Sequence, residues 1–287
     1  MDGVLIINKP KGFTSHDTVN VLRKELGTKK IGHTGTLDPN ATGVLPMLIG
    51  NATKISKYLI EHDKTYIVEM KLGERTDTLD IEGQVIEKRD VKKFKQEEIE
   101  KVLNSFIGKQ MQTPPEYSAI KIHGKKAYEY ARKGEKVVIP PREIEIYKIK
   151  FLSYKDDIIE FQVNCSKGTY IRTLCEDIAS KLGTIAYMKE LKRTEVDLFK
   201  IEKSVTIDDI KKNQVDLEEN IIPIEEVFKE KPNIILDERN LRLFLNGVKL
   251  TFNKEEGLYR IYQNKNFIGL GIVKNNLLKR DVVLKED

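Results

Sequence analysis

The stretch YIVEMKL (Tyr66–Leu72) alternates apolar and polar side chains along most of its length. A period of two residues is typical of a strand with one buried face. Two further β-rich runs, Glu143–Tyr154 and Ile158–Asn164, follow an amphipathic helical pattern at Gln96–Phe106. Strands and helices are mixed without strict βαβ alternation. The sequence therefore predicts an α+β fold, with a largely antiparallel, mixed sheet flanked by helices.

The chain of 287 residues is long enough for one large domain and one small one. An acidic region, Asp208–Glu230, ends just before Pro232, and a tail rich in short strand patterns follows. We therefore predict a first domain at 1–230 and a small β-rich domain at 231–287.

Composition narrows the class of protein. Hydrophobic residues make up 39% and charged residues 33% of the chain, and no apolar run approaches the roughly 20 residues of a membrane span. The start, MDGVLIINKP, lacks the basic flank and cleavage site of a signal peptide. Cys165 and Cys175 have no histidine nearby in sequence and are predicted to be buried thiols. We expect a cytoplasmic protein that does not contact membranes.

The net charge is only +5, but one segment is strongly basic. AIKIHGKKAYEYARKGEK (Ala119–Lys136) carries six Lys or Arg against two Glu, with Tyr128 and Tyr130 among them. Basic residues interleaved with aromatic ones are typical of a surface that binds a nucleic-acid backbone. A solvated helix face has the same composition, so charge alone leaves both interpretations open.

The stretch IGHTGTLDPNATGVLP (Ile31–Pro46) contains a single acid, Asp38, the only one between Glu25 and Glu61. Its glycines and prolines are poor material for a helix or a long strand and predict a loop of fixed shape. Such a loop is suited to hold a catalytic carboxylate. An aspartate before a proline also caps turns, and spacing alone does not decide between the two roles.

A second segment, SKGTYIRTLCEDIASKL (Ser166–Leu182), predicts a helix capped by Thr169 with Arg172 in its first turn. An arginine there is disfavoured by the helix dipole. Arg172 therefore indicates either a distant partner anion or an ion pair with Glu176, four residues on.

The sequence gives no support for a bound metal. Asp77, Asp80 and Glu82 lie close together but lack the calcium-loop pattern, and such a polar turn can instead pair with a distant arginine. The four histidines show no zinc-site spacing. His33 is either a turn residue or a ring that stacks on a base. Tyr66, inside its strand, is either a core residue or part of a site.

Three segments, GVLIINKPKGFTS, GHTGTLDPNATGVLP and CSKGTYIRTL, in this order resemble the bacterial pseudouridine synthases that modify the T arm of tRNA. DKTYIVEMKLGERTDTLDIEG and YSAIKIHGKKAYEYARKG fit the same family. The resemblance runs from about Gly3 to Phe199 and is weak beyond Pro232, where the family carries a small RNA-binding PUA domain. Asn8 stands where many members have Asp.

The resemblance implies an isomerase that converts the T-arm uridine at position 55 of tRNA to pseudouridine. The base would flip out of its stack, the C1′–N1 bond would break, and a C1′–C5 bond would form, without a cofactor or a metal. The implied partner is the T stem-loop of tRNA, and we expect a monomer and a PUA-like C-terminal domain. An accompanying role in tRNA folding is compatible with the same surface.

The resemblance also implies roles for individual residues. Asp38 matches the nucleophile, and Tyr66 matches a residue that packs on the target base and is a candidate for removing a ribose proton. Arg172 matches the arginine that pairs with the nucleophile and would keep it ionised, and Asp80 matches an acid that holds this arginine. The carboxylate would attack C1′ of the ribose, attack C6 of the base, or support a route through a glycal; the sequence leaves all three open.

Further residues are implied to bind the substrate. Tyr170 and Leu191 match residues that line the uracil pocket, and His33 matches a histidine that enters the T loop in place of the flipped bases. The basic segment falls in an inserted arm, about 115–143, that closes over the T stem-loop. Four residues of this arm are predicted to contact RNA: Lys121, Lys125, Lys126 and Arg132.

The residues are compatible with two other function classes. One is an RNA-binding or RNA-folding module whose catalysis is incidental. The other is a glycosidase or nucleoside hydrolase. The basic arm and the single acid of the loop disfavour it, because glycoside hydrolysis commonly uses a pair of carboxylates.

Overall fold

The computed structural model describes residues 2–284, which form twenty strands. The strands are β1 Gly3–Lys9, β2 Ile31–His33, β3 Thr42–Ile49, β4 Lys64–Leu72, β5 Glu74–Thr76, β6 Val85–Lys88, β7 Gly108–Gln112, β8 Lys121–Ile122, β9 Lys125–Lys126, β10 Arg142–Lys155, β11 Ile158–Cys165, β12 Ala186–Val196, β13 Phe199–Lys200, β14 Val205–Thr206, β15 Ile222–Pro223, β16 Asn233–Ile235, β17 Leu250–Thr251, β18 Gly257–Gln263, β19 Asn266–Lys274 and β20 Leu277–Val283.

The same residues form eight α-helices and two short 3-10 helices. The α-helices are α1 Ser15–Glu25, α2 Ser56–Leu59, α3 Gln96–Asn104, α4 Ala127–Ala131, α5 Ile171–Lys181, α6 Ile207–Lys211, α7 Ile224–Val227 and α8 Glu238–Leu245, and the 3-10 helices are Gly50–Ile55 and Ile201–Lys203. None of the helices within 2–284 is long and apolar enough to cross a membrane.

The large sheet has the strand order β14-β1-β3-β12-β4-β11-β10-β7, with β2, β13 and β15 paired alongside. Only the β1–β14 and β3–β12 pairs are parallel, and the latter consists of two register pairs, Lys192↔Thr42 and Arg193↔Gly43. Helices α1, α3 and α5 contribute Leu22, Leu103 and Ile178 to the core of this sheet. The predicted α+β fold is confirmed.

The tail forms the predicted small β-rich unit, a five-stranded sheet in the order β16-β18-β19-β20-β17 with helix α8. It has a core of its own around Phe244 and Ile261. Its strands also contribute Leu270 and Val282 to a cluster that includes Val4 of the large sheet. The tail is therefore packed against the first part of the chain.

The prediction of a loop throughout Ile31–Pro46 was wrong at both ends, because Ile31–His33 is strand β2 and Thr42–Ile49 is strand β3. The run TGVLPMLI is almost wholly buried, so it satisfies its backbone groups by pairing with β1. Pro46 is tolerated because its carbonyl accepts the Thr34 N–H at 3.1 Å on the side away from β1. Its missing N–H lies on that same side, so the ladder with β1 loses no bond.

The predicted cap of α5 was also wrong. The helix begins at Ile171 after an N-cap at Tyr170, and no side chain of the N-cap residue caps it. The Thr169 hydroxyl instead donates to the Ser166 carbonyl at 2.9 Å. Gly168 has a φ of +81°, and the turn that it forms before the helix directs Thr169 back toward Ser166.

Candidate active site

One cavity, of about 120 Å³, lies where the loop before β3, strand β4, the start of α5 and strand β12 meet. Its walls include five residues that the sequence analysis singled out: Asp38, Tyr66, Tyr170, Arg172 and Leu191. They come from distant parts of the chain, and the fold brings them together. The aromatic and apolar walls, with one carboxylate, suit a flat polar ring such as a nucleobase.

Arg172 is the centre of the charged groups. Its guanidinium lies 3.4 Å from Asp38 Oδ2 and 3.3 Å from Asp80 Oδ2. It also donates to the carbonyls of Thr78 at 3.2 Å and Tyr117 at 3.0 Å. The alternative partner of Arg172 in the sequence, Glu176, is paired with Arg75 at 2.5 Å instead. The arginine at the helix start therefore has distant anions as its partners.

Asp80 is held rigidly behind Arg172. Its Oδ1 accepts a hydrogen bond from the Thr78 hydroxyl at 2.6 Å. The preceding Leu79 has a φ of +62°, a conformation that is unfavourable for a branched side chain. Hydrogen bonds from Met188 N–H to Leu79 O at 3.0 Å and from Ile81 N–H to Met188 O at 3.1 Å hold this turn against β12. The Asp80 carboxylate is thereby fixed before any substrate binds.

Asp38 is the exposed member of the network. Its side chain is 42% exposed, against 9% for those of Arg172 and Asp80. The Ala41 N–H donates to the Asp38 backbone carbonyl at 3.0 Å, so the turn at Pro39 is closed by the main chain. The carboxylate itself remains paired with Arg172 and accessible from the cavity.

Lys9 supports the loop that carries Asp38, and the sequence analysis missed it. Its side chain is fully buried, and its Nζ donates to the carbonyls of Pro10, Phe13 and Pro39 at 2.9, 2.6 and 3.0 Å. Burial lowers the pKa of Lys9 to about 8, while the negative charge of Asp38 opposes this shift. A single lysine at a strand end has no periodic signal that would have revealed this role.

Tyr66 lies on β4 and is 7% exposed. Burial raises the pKa of its hydroxyl to about 12, and a hydrogen bond with Arg193 works in the opposite direction. Arg193 is fully buried and also donates to the carbonyls of Val44 at 2.7 Å and Gly35 at 3.0 Å. The one available signal for Arg193 was its position two residues after Leu191, on the same face of β12.

His33 lies on β2 and does not line the cavity. It is half-buried, and its Nδ1 has no hydrogen-bond partner among residues 2–284. Burial lowers the pKa of His33 further below neutrality, with the positive charge of Arg193 contributing. This shift favours the uncharged ring, a form suited to stacking on a base.

The four basic residues of the arm lie outside the cavity. Lys121, Lys125 and Lys126 belong to the β8–β9 hairpin, and Arg132 follows α4. Lys126 and Arg132 lie over the ring of Tyr128, at 5.4 and 5.2 Å from its centroid. The arm therefore presents cations arranged around an aromatic ring, as expected for a surface that contacts a nucleic acid.

The acids near the site do not form a metal centre. No group of three or more His, Cys, Asp or Glu suited to a metal ion occurs within residues 2–284. Asp77 Oδ1 instead accepts the Gln84 N–H at 2.8 Å, which closes the turn between β5 and β6.

Comparison with known proteins decides the family. Residues 23–171 match the model for the N-terminal domain of the TruB family pseudouridylate synthases. The chain belongs to the TruB family. Residues 172–229 match the tRNA pseudouridylate synthase B C-terminal domain, and residues 232–284 match the TruB C-terminal domain of pseudouridine synthase II. This TruB-family chain is therefore an enzyme, a pseudouridine synthase.

Relatives of this TruB-family chain are similar to it in sequence over nearly its full length. The tRNA pseudouridine synthase B of Caldanaerobacter subterraneus subsp. tengcongensis is 44% identical, with 97% of this chain and 98% of the relative covered. The tRNA pseudouridine synthase B of Aquifex aeolicus is 40% identical, with 97% of this chain and 98% of the relative covered. A chain in the crystal structure of a Cbf5–Nop10–Gar1 complex is 26% identical with a TM-score of 0.73, covering 99% of this chain and 85% of that one.

Proposed function

We propose that this pseudouridine synthase isomerises the uridine at position 55 in the T arm of tRNA, with Asp38 as the nucleophile. The observation that carries the proposal is the position of Asp38, half-exposed at a base-sized cavity and 3.4 Å from Arg172. Both relatives described above are named tRNA pseudouridine synthase B. Arg172 is close enough to orient the Asp38 carboxylate, and a carboxylate can act as the nucleophile in covalent catalysis.

The arrangement of carboxylates supports an isomerase rather than a glycosidase. Glycosidases place two carboxyl groups across the scissile bond, roughly 5 to 10 Å apart. Here Asp38 lines the cavity, whereas Asp80 is absent from its walls and lies behind Arg172. One reactive acid suits a reaction in which the base leaves C1′ and then returns to it.

The proposed reaction leaves the composition of the nucleotide unchanged, because the proton lost from C5 is matched by one gained at N1. The uridine flips into the cavity, and stacking contacts offset the few kcal/mol that unstacking costs. The C1′–N1 bond breaks, the uracil turns between Tyr66, Tyr170 and Leu191, and C5 bonds to C1′. The hydrogen on C5 leaves as a proton and N1 gains one. Asp38 acts at C1′, at C6, or on a glycal formed after a ribose proton is lost.

We further propose that the T stem-loop is the part of tRNA that is bound, by a monomeric enzyme. Lys121, Lys125, Lys126 and Arg132 of the arm would contact phosphates, and the neutral ring of His33 would stack in the space left by the flipped bases. An isolated T stem-loop should then be a substrate, whereas an anticodon stem-loop of equal length should not. Equal rates on both would contradict T-arm recognition.

Release of tritium from tRNA labelled at uridine C5 tests the nucleophile, because the C5 hydrogen leaves only when the new bond forms. We expect wild type to release tritium and Asp38→Ala to release none. Asp208→Asn, an exposed acid on α6, is the matched control and should keep the wild-type rate. Undiminished release by Asp38→Ala would refute the assignment of the nucleophile, and none from wild type would refute the activity.

A further inference from the structure

Gln112 is a buried polar residue beside the active site to which no role has yet been given. It ends strand β7, immediately before the chain enters the arm at about 115, and it is 3% exposed. A buried amide is costly unless its donor and acceptor are both used. The donor and the acceptor of the Gln112 amide are both used, and both bond to the same residue, Tyr170.

The Gln112 side chain holds the backbone of Tyr170 at both of its polar groups. Gln112 Oε1 accepts the Tyr170 N–H at 2.8 Å, and Gln112 Nε2 donates to the Tyr170 carbonyl at 3.1 Å. Tyr170 is the N-cap of α5, with φ −94° and ψ 110°, and its own side chain makes no capping bond. A side chain from a remote strand therefore fixes the backbone at the start of this helix.

The chain just after Gln112 also bonds to the first turn of α5, which carries Arg172. The Tyr117 carbonyl, at the entrance to the arm, accepts from the Arg172 guanidinium at 3.0 Å. The Thr113 carbonyl accepts from the Thr173 hydroxyl at 3.4 Å. The chain that follows Gln112 is thus bonded to the first turn of α5 at two residues, Thr113 and Tyr117.

We propose that Gln112 is a positioning residue for the isomerisation. By fixing Tyr170, it sets the place of the Tyr170 ring in the cavity wall and the direction in which Arg172 reaches Asp38. Gln112 does not line the cavity and contacts none of the reacting atoms. This inference rests on the roles proposed above for Tyr170 and Arg172.

A positioning role and a merely structural role differ in what they change. Tyr170 and Arg172 face the base in the cavity, whereas RNA affinity comes mainly from contacts elsewhere with the phosphates. Loss of the Gln112 clamp should therefore slow the chemical step and leave RNA binding unchanged. A merely structural role would lower stability and affect rate and binding together.

The test uses Gln112→Met, which keeps the length of the side chain and removes both hydrogen bonds, and Gln112→Glu, which cannot donate to the Tyr170 carbonyl. Gln110→Ala is the matched control, since Gln110 lies on the same strand and donates to the Phe106 carbonyl at 2.7 Å, away from the cavity. Single-turnover rates at saturating enzyme, the Kd for tRNA and the melting temperature are measured for each protein.

We expect both Gln112 variants to lose about 30-fold or more in single-turnover rate, with Kd within about threefold of wild type and a melting temperature above that of the assay. Gln110→Ala should match wild type in all three. An unchanged rate in Gln112→Met, or parallel losses of rate and Kd, would overturn the proposal. The Gln112 test measures the rate of uridine isomerisation and does not depend on which residue is the nucleophile. Failure of the Asp38 assignment would therefore show separately, in Asp38→Ala.

Discussion

At the scale of single residues, the guanidinium of Arg172 meets four acceptors, Asp38, Asp80 and the carbonyls of Thr78 and Tyr117. A lysine ammonium cannot reproduce this planar fork. We expect Arg172→Lys to lower the single-turnover rate by about 100-fold or more, with little change in Kd. Arg75→Lys, at a half-buried ion pair with Glu176 outside the cavity walls, is the control and should keep the rate.

The Arg172 prediction separates two roles for this side chain. Loss of rate without loss of affinity assigns Arg172 to the chemistry in the cavity. Equal losses of rate and affinity in Arg172→Lys would mean that it is only an RNA contact. Rapid-quench measurements of the rate, with filter binding for Kd, give both numbers from the same preparation.

The raised pKa of Tyr66 predicts how the stability of the protein changes with pH. Its pKa is raised from 10.0 to about 12, so the unfolded chain loses this proton at a lower pH than the folded protein does. The contribution of Tyr66 to stability is present below pH 10 and is lost as the pH rises toward 12. Relative to wild type, Tyr66→Phe should gain about 1 kcal/mol in free energy of unfolding between pH 9 and pH 11. Urea unfolding at the two pH values measures this difference, and an unchanged difference would contradict the burial of a protonated hydroxyl.

The same variant tests the chemistry of Tyr66. Phe keeps the ring that would pack on the base but lacks the hydroxyl that bonds with Arg193. If the hydroxyl removes a ribose proton, the rate of Tyr66→Phe at neutral pH should fall by about 100-fold or more with Kd unchanged. A rate close to wild type would leave Tyr66 with a packing role alone.

At the scale of elements, the junction of β3 and β12 depends on one glycine. Gly43 has a φ of +102°, and a Cβ added there would overlap the backbone of Arg193. We expect Gly43→Ala to destabilise the protein by about 3 kcal/mol or more, because both the left-handed conformation and the close approach exclude a side chain. Gly27→Ala is the control, since Gly27 has a φ of +61° with open space around it, and its cost should be about 1 kcal/mol. Equal losses in denaturant unfolding would contradict this account.

The basic arm predicts how tRNA binding depends on salt concentration. Each phosphate contact that is lost should reduce the slope of log K against log salt by about 0.7 to 0.9. Replacing Lys125 and Lys126 by Gln should therefore weaken tRNA binding and flatten this slope. The matched control replaces Lys148 and Lys150, exposed on β10 outside the arm. A slope that changes equally in the two double variants would assign the effect to net charge rather than to the arm.

The local patterns were readable from sequence, and the long-range partnerships were not. The alternation in Tyr66–Leu72 identified β4 correctly, because a half-buried strand carries its own period. The proximity of Asp38 to Arg172 came only from the family resemblance. Lys9, Arg193 and Gln112 were missed because their polar atoms are satisfied by backbone groups far along the chain, and no local pattern records those.

At the scale of the whole molecule, the C-terminal sheet and the large sheet share a hydrophobic cluster. Leu270 and Val282 from the tail are buried together with Val4, Ile6 and Leu48. The two parts should therefore unfold in one cooperative transition by calorimetry. Leu270→Ala should cost about 2 to 5 kcal/mol and shift that whole transition. A separate early melting of the tail would contradict the shared core.

The two register pairs between β3 and β12 have a mechanical consequence. Along the backbone, they divide the large sheet into two plates, β14-β1-β3 and β12-β4-β11-β10-β7, and the short β3–β12 pairing is the bridge between them. Asp38 lies in the loop before β3, beside the first plate, and Tyr66 lies on β4 in the second. Helix α5, which carries Arg172, contacts β12 and β4, the plate of Tyr66. A slight rotation of the plates about the bridge would alter the gap between Asp38 and Arg172, although neither plate need bend. The stiffness of this connection would therefore set how closely Asp38 is held to its ion-pair partner Arg172.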